Sequence, residues 1–225
     1  MKKGFTLAEV LITLVVLGIV AAMTIPVVSG TTRETEYRAK AKKTYSQLTQ
    51  AIAMSSIKLG YVPNLSVKYD STEDIHNWFN TYLKDNLNVI KVCNDTAGCW
   101  NEGDTYYLKG GKVKYNRTGI GIGNTILTAV LSDGTFLIVD SYYYESTDTY
   151  FGVKIPSGKS SMVIFFDVNG SKKPNTVGKD IYAAVYIDGN LIPPYRDYPE
   201  KVNDDCSSKG TGYSCLYNIV DKSFQ

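Results

Sequence analysis

Three features of this 225-residue chain predict an α+β fold, in which a long N-terminal helix, apolar and then amphipathic, packs on an antiparallel sheet. The first is an apolar run from Phe5 to Val28. The second is a helical repeat of apolar residues that follows it to about Gly60. The third is a series of strand-like runs separated by hairpin turn residues. Single domains mostly run to ~100 to 200 residues, so the length suits one helix-anchored domain.

The run FTLAEVLITLVVLGIVAAMTIPVV is long enough, at ~1.5 Å per helical residue, to cross a ~30 Å hydrocarbon core. After Glu9 no charge appears until Arg33. An ordinary secretory signal has a shorter apolar core with a small-residue cleavage site after it. Here a short MKKG segment stands before a run of spanning length, and an uncleaved signal anchor is the alternative reading. Lys2 and Lys3 lie on one side of the run and Arg33, Arg38, Lys40, Lys42 and Lys43 on the other. The positive-inside rule alone therefore favours a cytoplasmic C-terminus, whereas the paired cysteines described below favour an outside domain. Pro26 has no backbone N–H to donate and should kink or locally melt the helix near Ala22 and Met23.

Tyr37, Ala41, Tyr45, Leu48, Ile52 and Leu59 then recur at three- and four-residue spacings, the apolar face of an amphipathic helix. Arg38, Lys40, Lys42, Lys43 and Gln47 occupy its other face, read as solvated or as contacting lipid headgroups. Ile75, Trp78, Phe79, Tyr82 and Leu83 mark a second, short helix, with Ser71 three residues before Asp74 as its cap. His76, the single histidine, reads there as a surface residue rather than a catalyst.

Strands are predicted at Thr105 to Lys109, Lys112 to Asn116, Thr125 to Leu131, Thr135 to Asp140, Met162 to Asp167 and Ile181 to Ile187. Gly110-Gly111, Ser132-Asp133-Gly134 and Asp188-Gly189-Asn190 supply turns suited to antiparallel hairpins. No repeat of solenoid period appears, and the Gly-rich stretch from Thr118 to Gly123 lacks the helix start that phosphate binding needs.

Composition narrows the function. A formal charge of +2, with the positive residues scattered, offers no basic face for nucleic acid. One histidine and no Ser/His/Asp or Cys/His constellation leave little from which to build an enzyme. Eighteen Tyr against seven Phe suit strands with one wet face and surfaces that touch proteins or sugars. The four cysteines fall in two close pairs, Cys93 with Cys99 and Cys206 with Cys215, each spanning a short Gly-containing loop. Local disulfides, and hence an oxidising compartment, are one reading; zinc or free thiols are the other, although the spacings lack the tight two-to-four-residue intervals of zinc ligands.

Gly4-Phe5-Thr6-Leu7-Ala8-Glu9-Val10-Leu11, preceded by two lysines and followed by the apolar helix, resembles the class III leader of type IV prepilins and type II secretion pseudopilins. The resemblance implies that prepilin peptidase cuts between Gly4 and Phe5 and methylates the new amino group of Phe5. Loss of Lys2 and Lys3 would leave 22 positive and 22 negative side chains, from the 24 and 22 of the full sequence. An acid inside an apolar spanning helix costs on the order of 2.5 to 3.5 kcal/mol when central, so Glu9 needs a partner. The Phe5 amine is one: opposite charges ~4 Å apart attract by about 4 kcal/mol at an effective dielectric of 20. Phe5 and Glu9 are four apart, so the pair can form within one chain; in the family's filaments Glu9 is expected to reach a neighbour's amine and set register. Pro26 also fits, since pilins often carry a proline in this region.

The implied organisation is a leader at 1–4, a transmembrane and assembly helix at 5–28, an amphipathic continuation at 29–60, and a pilin-like head at 61–225. The implied function is a structural subunit, not an enzyme, of a type IV pilus-like filament or type II secretion pseudopilus. It would sit in the cytoplasmic membrane as a single-pass protein with its head outside, and then in a filament in the periplasm or at the surface. Its partners would be prepilin peptidase, other pilin or pseudopilin subunits, the inner-membrane assembly platform and lipid. The alternative is a minor pilin whose tyrosine-rich head acts as an adhesin or ligand-binding tip.

Oxygen-bearing side chains cluster around tight turns from Phe166 to Asp180, and calcium favours such loops. This stretch, with Leu131 to Asp140 and the Asp188-Gly189 turn, is similar to the heads of proteins related to the major pseudopilins, whose C-terminal loops are implied to bind calcium. Asp167, Asn169 and Asp180 are the candidate ligands. No Glu closes a twelve-residue EF-hand loop, and Asn169-Gly170 before Lys172-Lys173 also reads as plain turn material. Tyr195 to Gln225 reads as a disulfide-clamped loop like the cysteine-closed loop of many pilin heads.

Overall fold

The computed structural model describes residues 6–61, 71–94, 98–100, 103–113 and 127–221, with backbone alone for 21–31 and 94. The chain falls into two units, residues 1–36 and 37–225.

Helix α1 spans Leu7–Leu59, taking in both the apolar run and the amphipathic repeat. Helical backbone continues through Pro26, so the melting expected near Ala22 and Met23 is absent. A proline deletes one N–H from the ladder, and the rest of a 53-residue helix holds the turn in place. Among the described residues no helix is long and apolar enough to cross a membrane. The apolar stretch with described side chains, 6–20, would reach only about 22 Å against a ~30 Å core. The remainder of the Phe5 to Val28 run has side chains outside the description.

In the second unit, α2 (Thr72–Tyr82) is capped as its sequence predicts, with Ser71 Oγ accepting from the Asp74 N–H at 3.2 Å. Six strands follow: β1 (Val89–Asn94), β2 (Leu127–Leu131), β3 (Phe136–Tyr143), β4 (Ser160–Asp167), β5 (Ile181–Ile187) and β6 (Asn190–Ile192). They form one antiparallel sheet in chain order. Local pairing of this kind needs only short connections, and the predicted turns provide two of them. Gly134 closes the β2–β3 turn, donating to Leu131 O at 3.0 Å. Asp188 and Gly189 both take positive φ, 44° and 82°, the pattern of a tight hairpin turn between β5 and β6.

The run expected as a strand at Thr105 to Lys109 is not one, and neither are residues 112–113, the described part of the run from Lys112 to Asn116. Tyr106 and Lys112 meet in a single bridge, and residues 114–116 lie outside the described part, as does the Gly-rich stretch 118–123. The Tyr106 backbone is drawn elsewhere, donating to Asn175 O and accepting from the Val177 N–H.

Both faces of the sheet are buried, and the pleat sorts its residues. Met162, Ile164 and Phe166 of β4 join Tyr182, Ala184 and Tyr186 of β5 under Leu48 and Ile52 of α1 and Phe79 of α2. Val163, Phe165, Ala183 and Val185 point the other way, against Phe151 and Tyr213. Such strands read as near-continuous apolar runs. Phe151 ends α3 (Tyr144–Phe151), and Tyr213 stands between α4 (Val202–Asp205) and α5 (Cys215–Val220). Part of the tyrosine load serves the core, since Tyr182 and Tyr186 are fully buried, while Tyr61, Tyr106, Tyr143 and Tyr150 are exposed.

Tyr45 ties α1 to the sheet edge, its hydroxyl donating to Leu191 O at 2.6 Å, and burial pushes the phenol up to about 12. Tyr45→Phe should lower the unfolding free energy by about 1 kcal/mol in urea titration, because the Leu191 carbonyl loses its partner. An unchanged midpoint would show that water replaces the hydroxyl without loss.

Candidate functional site

Thr6 stands immediately before α1 and exchanges hydrogen bonds with Glu9. The Thr6 N–H donates to Glu9 Oε2 at 2.8 Å, the Thr6 hydroxyl donates to the same oxygen at 2.8 Å, and the Glu9 N–H donates back to Thr6 Oγ1 at 3.3 Å. This is a capping box: two N–H groups that lack intrahelical partners are satisfied reciprocally. The carboxylate also lies at the helix end where the peptide dipoles favour negative charge. The signal Thr-x-x-Glu before an apolar run was present in the sequence, but the expectation for Glu9 centred on an amine. Gly4 and Phe5, the predicted processing site, lie outside the described residues.

Around the same helix Leu7, Leu11, Ile12, Leu14, Val15 and Leu17 are all exposed. A helix apolar on every side is normally buried in lipid or against other helices. Later in the helix, Lys43 lies exposed, as expected of a solvated face, and its ammonium also sits 2.9 Å from Asp133 in the β2–β3 turn.

Both cysteine pairs are disulfides, Cys93–Cys99 and Cys206–Cys215, with Cα atoms 5.8 and 4.9 Å apart. No described cysteine is free, so the zinc and free-thiol readings fall away. The C-terminal disulfide region is not a plain loop. Asp205 at the end of α4 organises it, accepting from the Thr211 N–H at 2.8 Å and the Ser214 N–H at 2.9 Å.

The turn joining β4 to β5 carries the candidate calcium residues. Asp167, the last residue of β4, turns Oδ1 back to accept from the Asn169 N–H at 3.0 Å and the Gly170 N–H at 3.1 Å. Asp180, just before β5, gathers the far side of the turn. Its Oδ1 accepts from the Thr176 N–H at 2.7 Å, and its Oδ2 from the Asn175 N–H and the Asn169 amide, both at 2.8 Å. Both carboxylates are fully buried. Burial, and then the neighbouring Asp180 charge, push Asp167 up to about 8. Burial also raises Asp180, against the pull of its N–H donors. Asp167 Oδ2 and Asn169 Oδ1 are buried without a hydrogen-bond partner.

Among the described residues no group of three His, Cys, Asp or Glu side chains is placed to hold a metal. The set here is two carboxylates and an amide, all hard oxygen donors, which is chemistry that fits calcium rather than zinc. Two surface cavities, of about 240 and 540 Å³, are lined by Lys43, Gln47 and Asn86 in one and Asp188, Arg196 and Asp221 in the other.

No curated protein and no solved structure matches the chain. Residues 1–25 match the prokaryotic N-terminal methylation motif, the signature of type IV pilins and pseudopilins.

Proposed function

We propose that this chain is a structural subunit of a type IV pilus-like filament or type II secretion pseudopilus. Prepilin peptidase would cut it between Gly4 and Phe5 and methylate Phe5, and its helix would hold it in the cytoplasmic membrane until assembly. The observation that carries this reading is the conjunction of the methylation motif with a helix whose apolar side chains are uncovered on all sides. Lipid covers such a helix first, and the helices of other subunits, delivered by the inner-membrane assembly platform, cover it afterwards. The disulfides accord with a globular unit outside the cytoplasm. The reading as an adhesive tip drew on the tyrosine content, and burial of Tyr182 and Tyr186 removes part of that support.

Intact-mass measurement of the membrane-extracted protein, made beside an active prepilin peptidase, tests the proposal. The expected species begins at methylated Phe5 and gains four protons on reduction, two for each disulfide. Gly4→Leu should accumulate instead as the unmethylated, full-length chain, because the peptidase would face a bulky side chain at the cut. A wild-type chain that stays full length and unmethylated beside the active enzyme would leave only a signal-anchored protein.

A further inference from the structure

We propose that the cavity of about 240 Å³ between α1 and the β2–β3 turn is a binding site for a single uncharged sugar ring. Three segments wall it: Lys43, Gln47 and Gln50 of α1, residues 86–88 ahead of β1, and residues 131–133 at the end of β2 and in the turn after it. The helical repeat places Gln47 on a solvated face, but residues 86–88 come against that face, and Gln47 is half-buried. The walls are tied to one another. The Ser132 N–H donates to Asn88 O at 2.8 Å, the Lys43 ammonium sits 2.9 Å from Asp133, and the Asn86 amide donates to Ser55 Oγ of α1 at 2.6 Å. A site held in this way exists before its ligand arrives, so little ordering opposes binding.

The chemistry of the ligand follows from which groups are already in use. Lys43 pairs with one Asp133 oxygen, and the other accepts from the Thr135 N–H at 3.2 Å, so the two charges on the cavity cancel and neither calls for a charged ligand. The Asn86 nitrogen is turned to Ser55 and the Ala51 carbonyl, which leaves Asn86 Oδ1 as an acceptor. The Gln50 nitrogen donates to Ser46 Oγ at 3.0 Å, which leaves Gln50 Oε1. Gln47 Oε1 is buried with no donor. Such an oxygen is costly to the fold, and the last torsion of a glutamine turns easily, so a hydroxyl brought into the cavity gives it the partner that the chain does not. Amide oxygens in want of donors, with the Ser132 hydroxyl and the Asn88 amide beside them, match a ligand carrying several O–H groups. Leu87 and Leu131 complete the lining with apolar surface of the kind that meets the C–H face of a sugar ring. The volume lies below the ~300 Å³ at which sites for drug-sized ligands begin, which fits one ring rather than a chain. The inference concerns the globular unit, stands whether or not the chain assembles into filaments, and does not draw on the tyrosines.

The test is saturation-transfer NMR of the full chain in a detergent without sugar head groups, with glucose, galactose and N-acetylglucosamine as neutral probes and galacturonate as the charged control. At least one neutral sugar should receive saturation from the protein and titrate with a lower Kd than galacturonate. Gln47→Met, close in size, should keep or raise the Tm of the unliganded protein, because an apolar group replaces an oxygen with no donor, and should weaken sugar binding roughly tenfold. Asn88→Ala removes an exposed side chain but keeps the backbone bond to Ser132, so it should weaken binding and leave the Tm unchanged. Transfer to none of the neutral sugars would overturn the proposal and leave a cavity for water. Tighter binding of galacturonate would overturn it by showing Lys43 to act as a free cation. Wild-type affinity in both variants would overturn it as well, by placing the sugar elsewhere on the surface.

Discussion

If the chain is the filament subunit proposed, Glu9→Val should insert into the membrane as well as the wild-type chain, or better, and should yield at least tenfold fewer filaments. Insertion improves because valine removes an acid that costs up to about 3 kcal/mol in an apolar helix. Under the proposed function, assembly should fail because a Glu9 pair with a neighbour's amine ~4 Å away would be worth about 4 kcal/mol at an effective dielectric of 20, close to a thousandfold in an equilibrium constant for each subunit added. The capping box complicates the reading, because Glu9 also closes the first turn of α1 through Thr6. Glu9→Gln separates the two roles. Glutamine serves a capping box as glutamate does but brings no charge, so a requirement for the ion pair makes Glu9→Gln fail with Glu9→Val, and a requirement for the cap alone lets it assemble. Thr6→Val supplies the opposite control. It removes the hydroxyl's bond to Glu9 Oε2 and leaves the one from the backbone N–H, so the carboxylate is held less tightly, and assembly should persist if the carboxylate must leave Thr6 to reach a neighbour's amine. Yield of sheared, pelleted filaments is the measurement, with insertion checked by membrane fractionation. Wild-type yield from Glu9→Val would sink the register argument.

Much of the architecture was legible because long periodic signals survive tertiary context. The apolar run and the repeat from Tyr37 to Leu59 gave one helix, now seen as Leu7–Leu59, and four of the strand-like runs became β2 to β5. Several of the misses share a cause. β1 is interrupted by Lys91, β6 is three residues long, and α4 and α5 have four and six, each too short to express a period. The pairing expected around Tyr106 failed for a different reason. The Tyr106 backbone found partners at Asn175 and Val177, a competition between distant segments that local alternation cannot register. The burial of Tyr182 and Tyr186 was not legible because burial on both faces of a sheet depends on what covers each face, and the cover over the second face comes from Phe151 and Tyr213, outside the strands themselves.

The two candidate sites differ in how far sequence could reach. At the helix start, Thr6 and Glu9 are three apart and the capping box follows from spacing alone. At the β4–β5 turn, sequence offered Asp167, Asn169 and Asp180 as a set of oxygens. Only the fold distinguishes the oxygens already taken up by N–H donors from the two left bare. The same fold links this turn to the C-terminal disulfide. Gly178 lies two residues before Asp180, and its N–H donates to Ile181 O at 2.8 Å.

Gly178→Val should destabilise the protein by about 2 to 5 kcal/mol, by two additive routes. Gly178 holds φ at 82°, a left-handed conformation that costs an L-residue roughly 1 to 2 kcal/mol. A Cβ there would also stand 2.8 Å from both Cys215 Sγ and the Gly212 carbonyl oxygen, and overpacking of that kind typically costs about 1 to 3 kcal/mol. For a domain of this size the Tm should fall by roughly 5 to 15 °C. Gly178→Ala meets the same backbone term and a smaller clash, so its loss should be the lesser of the two. The strain has a direction as well as a size, because relief requires the segment from Cys206 to Cys215 to move away from the β4–β5 turn. Limited proteolysis of Gly178→Val should therefore cut within residues 206–215 first, while β3 and β4 stay protected. A Tm within about 2 °C of wild type, read on the same scale, would mean that the disulfide-closed segment is not held against the turn.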